Sequence, residues 1–104
     1  MPTNEFEALL ELYENRINGS KFEYKFSEGV RVTLSFGGIN FSAEIINFEG
    51  FILPGDLAEI VVRTNVKIFD AGFDFENKSI RVLDGINVIG VLTSVGEVRE
   101  IDIP

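Results

Sequence analysis

The chain has 104 residues, carries 17 acidic side chains against 9 basic ones and contains neither histidine nor cysteine. This length suits one small domain, residues 1–104, and a hydrophobic content of 45% is sufficient for its core. The missing cysteine excludes disulfides, thiolate nucleophiles and cysteine metal sites. The missing histidine removes the usual general base near neutral pH and the commonest transition-metal ligand.

The net charge of −8 restricts the partners. Phosphate backbones and anionic membrane surfaces are bound by clustered Lys and Arg, whereas the basic residues here are scattered along the chain. No apolar stretch approaches the ~20 residues of a transmembrane helix, and the start of the chain is acidic where a secretory signal is basic. We therefore expect a cytoplasmic protein that binds neither nucleic acid nor membranes. The acidity indicates either solubility alone or a surface for a basic partner protein.

The first predicted element, residues 5–14, has two interpretations. The apolar residues that follow a helical spacing are Phe6, Leu9, Leu10 and Tyr13. The apolar residues that follow the alternation of a strand are Phe6, Ala8, Leu10 and Leu12. Asn4 and Glu7 resemble a capping box, so the local signals favour a helix, and the strand remains the alternative.

The sequence pattern after this element predicts strands. Val30–Phe36 alternates apolar and polar residues, as in a half-buried strand, and Gly37-Gly38 separates it from a second run, Ile39–Phe48. Two glycines between such runs predict a hairpin, because a tight turn needs a positive φ that glycine adopts easily. Glu49-Gly50 ends the second run.

The second half of the chain continues the pattern. The turn Leu-Pro-Gly-Asp at 53–56 precedes the β-branched run Ala58–Phe69, in which Val61 falls on the polar side. Ser79–Leu83, the turn signal Asp84-Gly85 and Asn87–Val95 predict another hairpin, and residues 98–103 are a candidate edge strand. Short strands separated by Gly, Pro, Asn and Asp predict an antiparallel sandwich or barrel.

An ordered series of motifs carries a family resemblance. The motifs are Phe51-Ile-Leu-Pro-Gly-Asp56, the strand Ala58–Ile68, Asp70-Ala-Gly72, Ile80-Arg-Val-Leu-Asp-Gly85 and Val88-Ile-Gly90. Their order and spacing resemble the C-terminal barrel domain of bacterial elongation factor Tu and related translational GTPases, and Phe6-Glu-Ala8 looks like the opening strand of that domain. The resemblance implies an all-β fold, an antiparallel closed β-barrel of six or seven strands, in which residues 5–14 form a strand.

Departures from that family bear on RNA binding. The family domain helps to hold aminoacyl-tRNA through a segment close to Gly-Gly-Arg-His-Thr-Pro, whereas this chain has Asn18–Tyr24 without those side chains. The two arginines of the family's late hairpin are also missing from Leu83–Gly90, and no GTPase phosphate loop occurs. The resemblance therefore does not carry tRNA binding to this chain. A residual tRNA- or translation-linked role is the alternative function, and an uncharacterised enzyme is the third.

Two segments combine aromatic and charged residues. The candidate protein-binding residues in them are Phe73, Asp74, Phe75, Glu76, Phe22 and Tyr24. If these aromatic rings point outward, they form patches suited to a basic partner; if they point inward, they fill the barrel. The carboxylates near Asp70 lack the ordered ligand loop of a calcium site, which favours a solvated turn.

These observations predict a non-catalytic, stand-alone barrel that acts as a protein-binding or regulatory module without metal or cofactor. One version of this hypothesis is a decoy or immunity-type protein that imitates the elongation factor. We expect a monomer or a weak oligomer, because a closed barrel leaves few free strand edges.

Overall fold

The computed structural model describes residues 2–14, 25–64, 78–95 and 98–102. These ranges form strands and turns, with no helix among them. The strands in chain order are β1 (Pro2–Leu12), β2 (Phe26–Ser27), β3 (Val30–Phe36), β4 (Ile39–Ile46), β5 (Phe51–Ile52), β6 (Leu57–Thr64), β7 (Ser79–Asp84), β8 (Asn87–Ser94) and β9 (Arg99–Asp102). The part of the predicted run Ala58–Phe69 beyond Thr64 lies outside the described residues.

Six antiparallel strands close into a barrel. Their order is β6, β4, β3, β7, β8 and β1, and β1 pairs with β6 to complete the circle. β9 pairs with the first half of β1, as expected of the predicted edge strand at the end of the chain. The predicted antiparallel closed β-barrel is therefore confirmed.

The local prediction of a helix at residues 5–14 is wrong, and the strand alternative is confirmed. β1 is paired along both of its edges, since Phe6 lies opposite Val62 of β6 and Leu10 lies opposite Leu92 of β8. Its even-numbered apolar residues point into the barrel and are buried, as the two-residue period of a strand requires. The backbone hydrogen bonds to two neighbours and this one-sided burial override the local helical spacing.

The core fills the inside of the barrel. The buried inward-facing residues are Phe6, Ala8, Leu10, Leu12, Val32, Leu34, Phe41, Ala43, Ile45, Ile60, Val62, Ile80, Val82, Ile89 and Leu92. The short β2–β5 ribbon contributes Phe26 and Ile52 to the same core, at the end of the barrel where β3 and β6 begin. Burial on this scale is the main source of stability for so small a domain.

Both predicted hairpins are confirmed. Gly37 and Gly38 have φ of 60° and 82° and form the two-residue loop between Phe36 and Ile39, which lie opposite each other. In the second hairpin Asp84 lies opposite Asn87, so the loop is residues 85–86. The tight loops set the register of their strands and hence the side of the barrel on which each side chain lies.

The turn at 53–56 anchors the end of β1. Within the turn, the Leu53 N–H donates to Asp56 Oδ2 at 2.8 Å, and the Asp56 N–H donates to the Leu53 carbonyl at 2.9 Å. Across to β1, the Gly55 N–H donates to the Leu12 carbonyl at 2.7 Å, and the Leu12 N–H donates to the Asp56 carbonyl at 3.0 Å. This turn therefore fixes β6 beside β1 from the first residue of β6 onward.

Candidate protein-binding surface

The predicted binding residues lie outside the described part of the chain. Phe73, Asp74, Phe75 and Glu76 fall within residues 65–77, and Phe22 and Tyr24 fall within residues 15–24. Their role remains a prediction.

A different candidate surface lies on the outside of β1 and β6. Since the even-numbered residues of both strands point into the barrel, the odd-numbered residues between them point out. The outward pairs across the two strands are Glu11 with Leu57, Leu9 with Glu59, and Glu7 with Val61. We refer to these six residues as the acidic–aliphatic face.

The acidic–aliphatic face has a regular pattern. Each cross-strand pair joins one glutamate to one aliphatic residue, and the strand that carries the glutamate changes at every pair. Successive outward residues on a strand are about 6.6 Å apart, and neighbouring strands are about 4.8 Å apart. The glutamate Cα atoms therefore follow a zigzag with steps of roughly 8 Å, and the aliphatic residues form the complementary zigzag.

β8 extends this surface on the other side of β1. Val91 lies opposite Glu11, and Thr93 lies opposite Leu9. Just beyond β8, the Val95 N–H donates to the Glu7 carbonyl at 3.0 Å, and the Val95 side chain is 56% exposed. Val91 and Val95, with Thr93 between them, therefore flank β1 on the side away from β6.

Val61 forms the floor of a groove on this face. The sequence predicts Val61 on the polar side of β6. The side chain does point away from the inside of the barrel, yet only 7% of the residue is exposed. The groove has a volume of about 440 Å³ and is lined in part by Glu7, Leu9, Asn47 and Glu59. The uninterrupted apolar run at 60–62 was the sequence signal for an aliphatic residue on the outer side of β6.

The charged residues on this part of the barrel differ in whether they form an ion pair. Arg63, next along β6, is held by Glu5, whose Oε2 accepts from Nε at 2.7 Å and lies 2.7 Å from Nη2. Within the described ranges no ion pair involves Glu7, Glu11 or Glu59. Among the described residues, the acidic–aliphatic face therefore has three carboxylates outside any ion pair, beside the exposed Leu57, the partly buried Leu9 and the buried Val61. Glu7 also lines a cleft together with Arg63 and Arg99.

Removal of the Glu5 charge is expected to destabilise the barrel. Glu5→Gln should lower the free energy of unfolding by about 1 kcal/mol, because it leaves the partly buried guanidinium of Arg63 without its counter-charge. The matched control is Glu44→Gln in the more exposed pair with Arg31, 3.0 Å apart, which should cost no more than about 0.5 kcal/mol. Urea titrations compare the two, and equal losses would contradict the stronger role given to Glu5.

A second exposed patch lies at the end of the barrel where β6 begins. Its large apolar side chains are Phe51, Leu53 and Ile86, together with Leu57, which it shares with the acidic–aliphatic face. Ile86, at the tip of the β7–β8 hairpin, is 96% exposed. The ammonium group of Lys25 lies 4.2 Å from the centroid of the Phe51 ring, where it makes a cation–π contact. The four named side chains are apolar, and Lys25 adds one positive charge beside them.

The described residues contain neither a candidate metal site nor a candidate membrane-spanning helix. No cluster of His, Cys, Asp and Glu suited to a metal ion occurs among the residues that the structure describes. The same residues include no helix of sufficient length and hydropathy to cross a lipid bilayer.

A scan against protein-family models finds no match to the chain, and a search of curated proteins returns no match either.

Proposed function

We propose that this protein is a non-catalytic protein-binding or regulatory module and that it binds its partner through the acidic–aliphatic face. The observation that carries the proposal is the alternation of uncompensated glutamates with aliphatic residues on the outside of β1 and β6. Aliphatic side chains supply binding energy when a partner covers them, whereas carboxylates select and orient the partner. None of the six residues belongs to the core cluster inside the barrel, although Val61, at 7% exposure, is buried at the floor of the groove.

The family resemblance supports one version of this function. The motif series from Phe51 to Val95 is similar to the third domain of elongation factor Tu, and the all-β closed barrel is compatible with that domain. The basic residues with which that family contacts tRNA are replaced in this chain. In this version the protein is a cytoplasmic decoy or immunity-type protein, which a factor that recognises the elongation factor binds in its place.

Site-specific photo-crosslinking tests the proposed function. A photoreactive residue at Leu9, in the centre of the acidic–aliphatic face, should cross-link to discrete proteins in a lysate of the source cells. The matched control places the same residue at Ser35 on β3, which is three strands away around the barrel. An excess of unlabelled protein should remove the Leu9 products. Identical products from both positions, or none from Leu9, would exclude binding through this face.

A further inference from the structure

We infer that the partner segment seated on the acidic–aliphatic face is a basic, amphipathic stretch of another protein, in which Lys or Arg side chains are interleaved with aliphatic ones. This inference rests on the proposed function and specifies the chemistry of the partner. Three features of the face carry it, namely its uncompensated charge, its spacing and the aliphatic floor of its groove.

The charge of the face selects a cationic partner. Glu7, Glu11 and Glu59 take part in no ion pair within the described residues, and the neighbouring Arg63 is already paired with Glu5. A partner that covers these carboxylates with neutral groups would remove them from water without compensation, which is costly. Lysine or arginine opposite them supplies charge-assisted hydrogen bonds in a partly desolvated setting.

The aliphatic residues exclude a purely basic partner. Leu9 and Val61 lie between the glutamates, and Leu57 is 64% exposed at the end of the face. A run of basic residues alone would leave this apolar surface beside charged groups, with no gain from its burial. The pattern is therefore matched by a segment whose cationic and aliphatic side chains both recur along its length.

The same pattern disfavours three other occupants of the face, namely a second copy of this chain, a nucleic acid and an anionic lipid surface. A second copy of this chain docked face to face would bring two negatively charged patches together, since a twofold interface uses the same surface on both copies, and like charges repel. Phosphate backbones and anionic lipids are repelled for the same reason. The apolar patch around Phe51 and Ile86 has no charge pattern that would identify a partner. The charge pattern of the acidic–aliphatic face therefore indicates the chemistry of its partner, whereas the apolar patch does not.

Peptide binding tests the inference. The probe is a fluorescent peptide of about 12 residues with the repeat Lys-Lys-Leu-Leu. Each side of this peptide carries both lysine and leucine when it is extended, and its length is sufficient to cover the three cross-strand pairs of the face. At about 0.15 M salt, Glu7→Gln/Glu59→Gln should weaken its binding, measured by fluorescence anisotropy, about tenfold relative to the unmodified protein. The matched control, Glu49→Lys, gives the same net charge of −6 with a change outside the face and should alter the affinity less than about twofold.

The outcomes separate the inference from the proposed function. A peptide with glutamine in place of lysine should bind about tenfold more weakly, and equal binding of the two peptides would overturn the inference. Equal weakening by both protein variants would also overturn it, because net charge alone would then explain binding. If the Leu9 cross-link falls on a partner segment without Lys or Arg, the proposed function stands and the inference fails. If no cross-link forms, both fail.

Discussion

Replacement of Phe6 by alanine is expected to lower the free energy of unfolding by about 3–5 kcal/mol. Phe6 is fully buried inside the barrel, on a strand that is paired along both edges. Truncation removes a large apolar contact and leaves a cavity that strands held by their own ladders cannot collapse to fill. Urea titration followed by circular dichroism measures the loss.

An exposed phenylalanine provides the control for Phe6. Phe51 is 55% exposed, so Phe51→Ala should cost less than about 1 kcal/mol. Similar losses for the two variants would mean that Phe6 does not point into the barrel, and would contradict the inward-facing register of β1.

The second large effect is expected at Gly90. A Cβ atom added there would lie 2.6 Å from the carbonyl oxygen of Glu11 and 3.4 Å from the Cα of Leu12. Both contacts are to backbone atoms, so β1 and β8 would have to move apart. We expect Gly90→Ala to lower the free energy of unfolding by about 3 kcal/mol, at the upper end of the usual cost of overpacking. Thermal and urea unfolding both measure this change.

The control for Gly90 is a glycine with free space around it. No atom beyond its two chain neighbours lies within 4 Å of a Cβ added at Gly38, so Gly38→Ala carries only the cost of its φ of +82°, about 1 kcal/mol. If Gly90→Ala is no more destabilising than Gly38→Ala, the close approach of β8 to β1 is not a constraint on the barrel.

Local signals were sufficient to predict the hairpins and insufficient to predict β1. A Gly-Gly turn between alternating runs specifies its two strands within about 20 residues of sequence, because the loop itself sets the pairing. At β1, Phe6 and Leu10 fit a helical spacing and a strand alternation equally well. The decision is made by residues about 50 to 80 positions away on β6 and β8, and no local pattern contains that information.

The acidic–aliphatic face was only partly visible in the sequence. The alternation of Glu7, Leu9 and Glu11 is evident once β1 is taken as a strand, and Val61 interrupts the polar side of β6. The sequence does not show that these strands are neighbours, nor that their register sets a glutamate opposite an aliphatic residue in every pair. The predicted aromatic and acidic segments lie outside the described residues.

β1 contributes both to the core and to the proposed binding surface. Its inward residues form part of the core, while its outward residues form half of the acidic–aliphatic face. Substitutions of inward and of outward residues should therefore have different effects on stability and on binding. Changes at inward positions should reduce folding, and isosteric changes at Glu7 or Glu11 should leave the unfolding midpoint close to that of the unmodified protein, because these exposed carboxylates support no ion pair among the described residues.

The most direct measurement of binding through β1 and β6 is a nuclear magnetic resonance titration of the ¹⁵N-labelled protein with the lysine–leucine peptide. The amide shift changes should be concentrated in residues 7–11 of β1 and 57–61 of β6. Shift changes centred on Phe51, Leu53 and Ile86 would show that the apolar end of the barrel binds instead. Shift changes spread evenly over the exposed acidic residues would show that the peptide binds through net charge alone. Each of these two results would contradict the binding role of the acidic–aliphatic face.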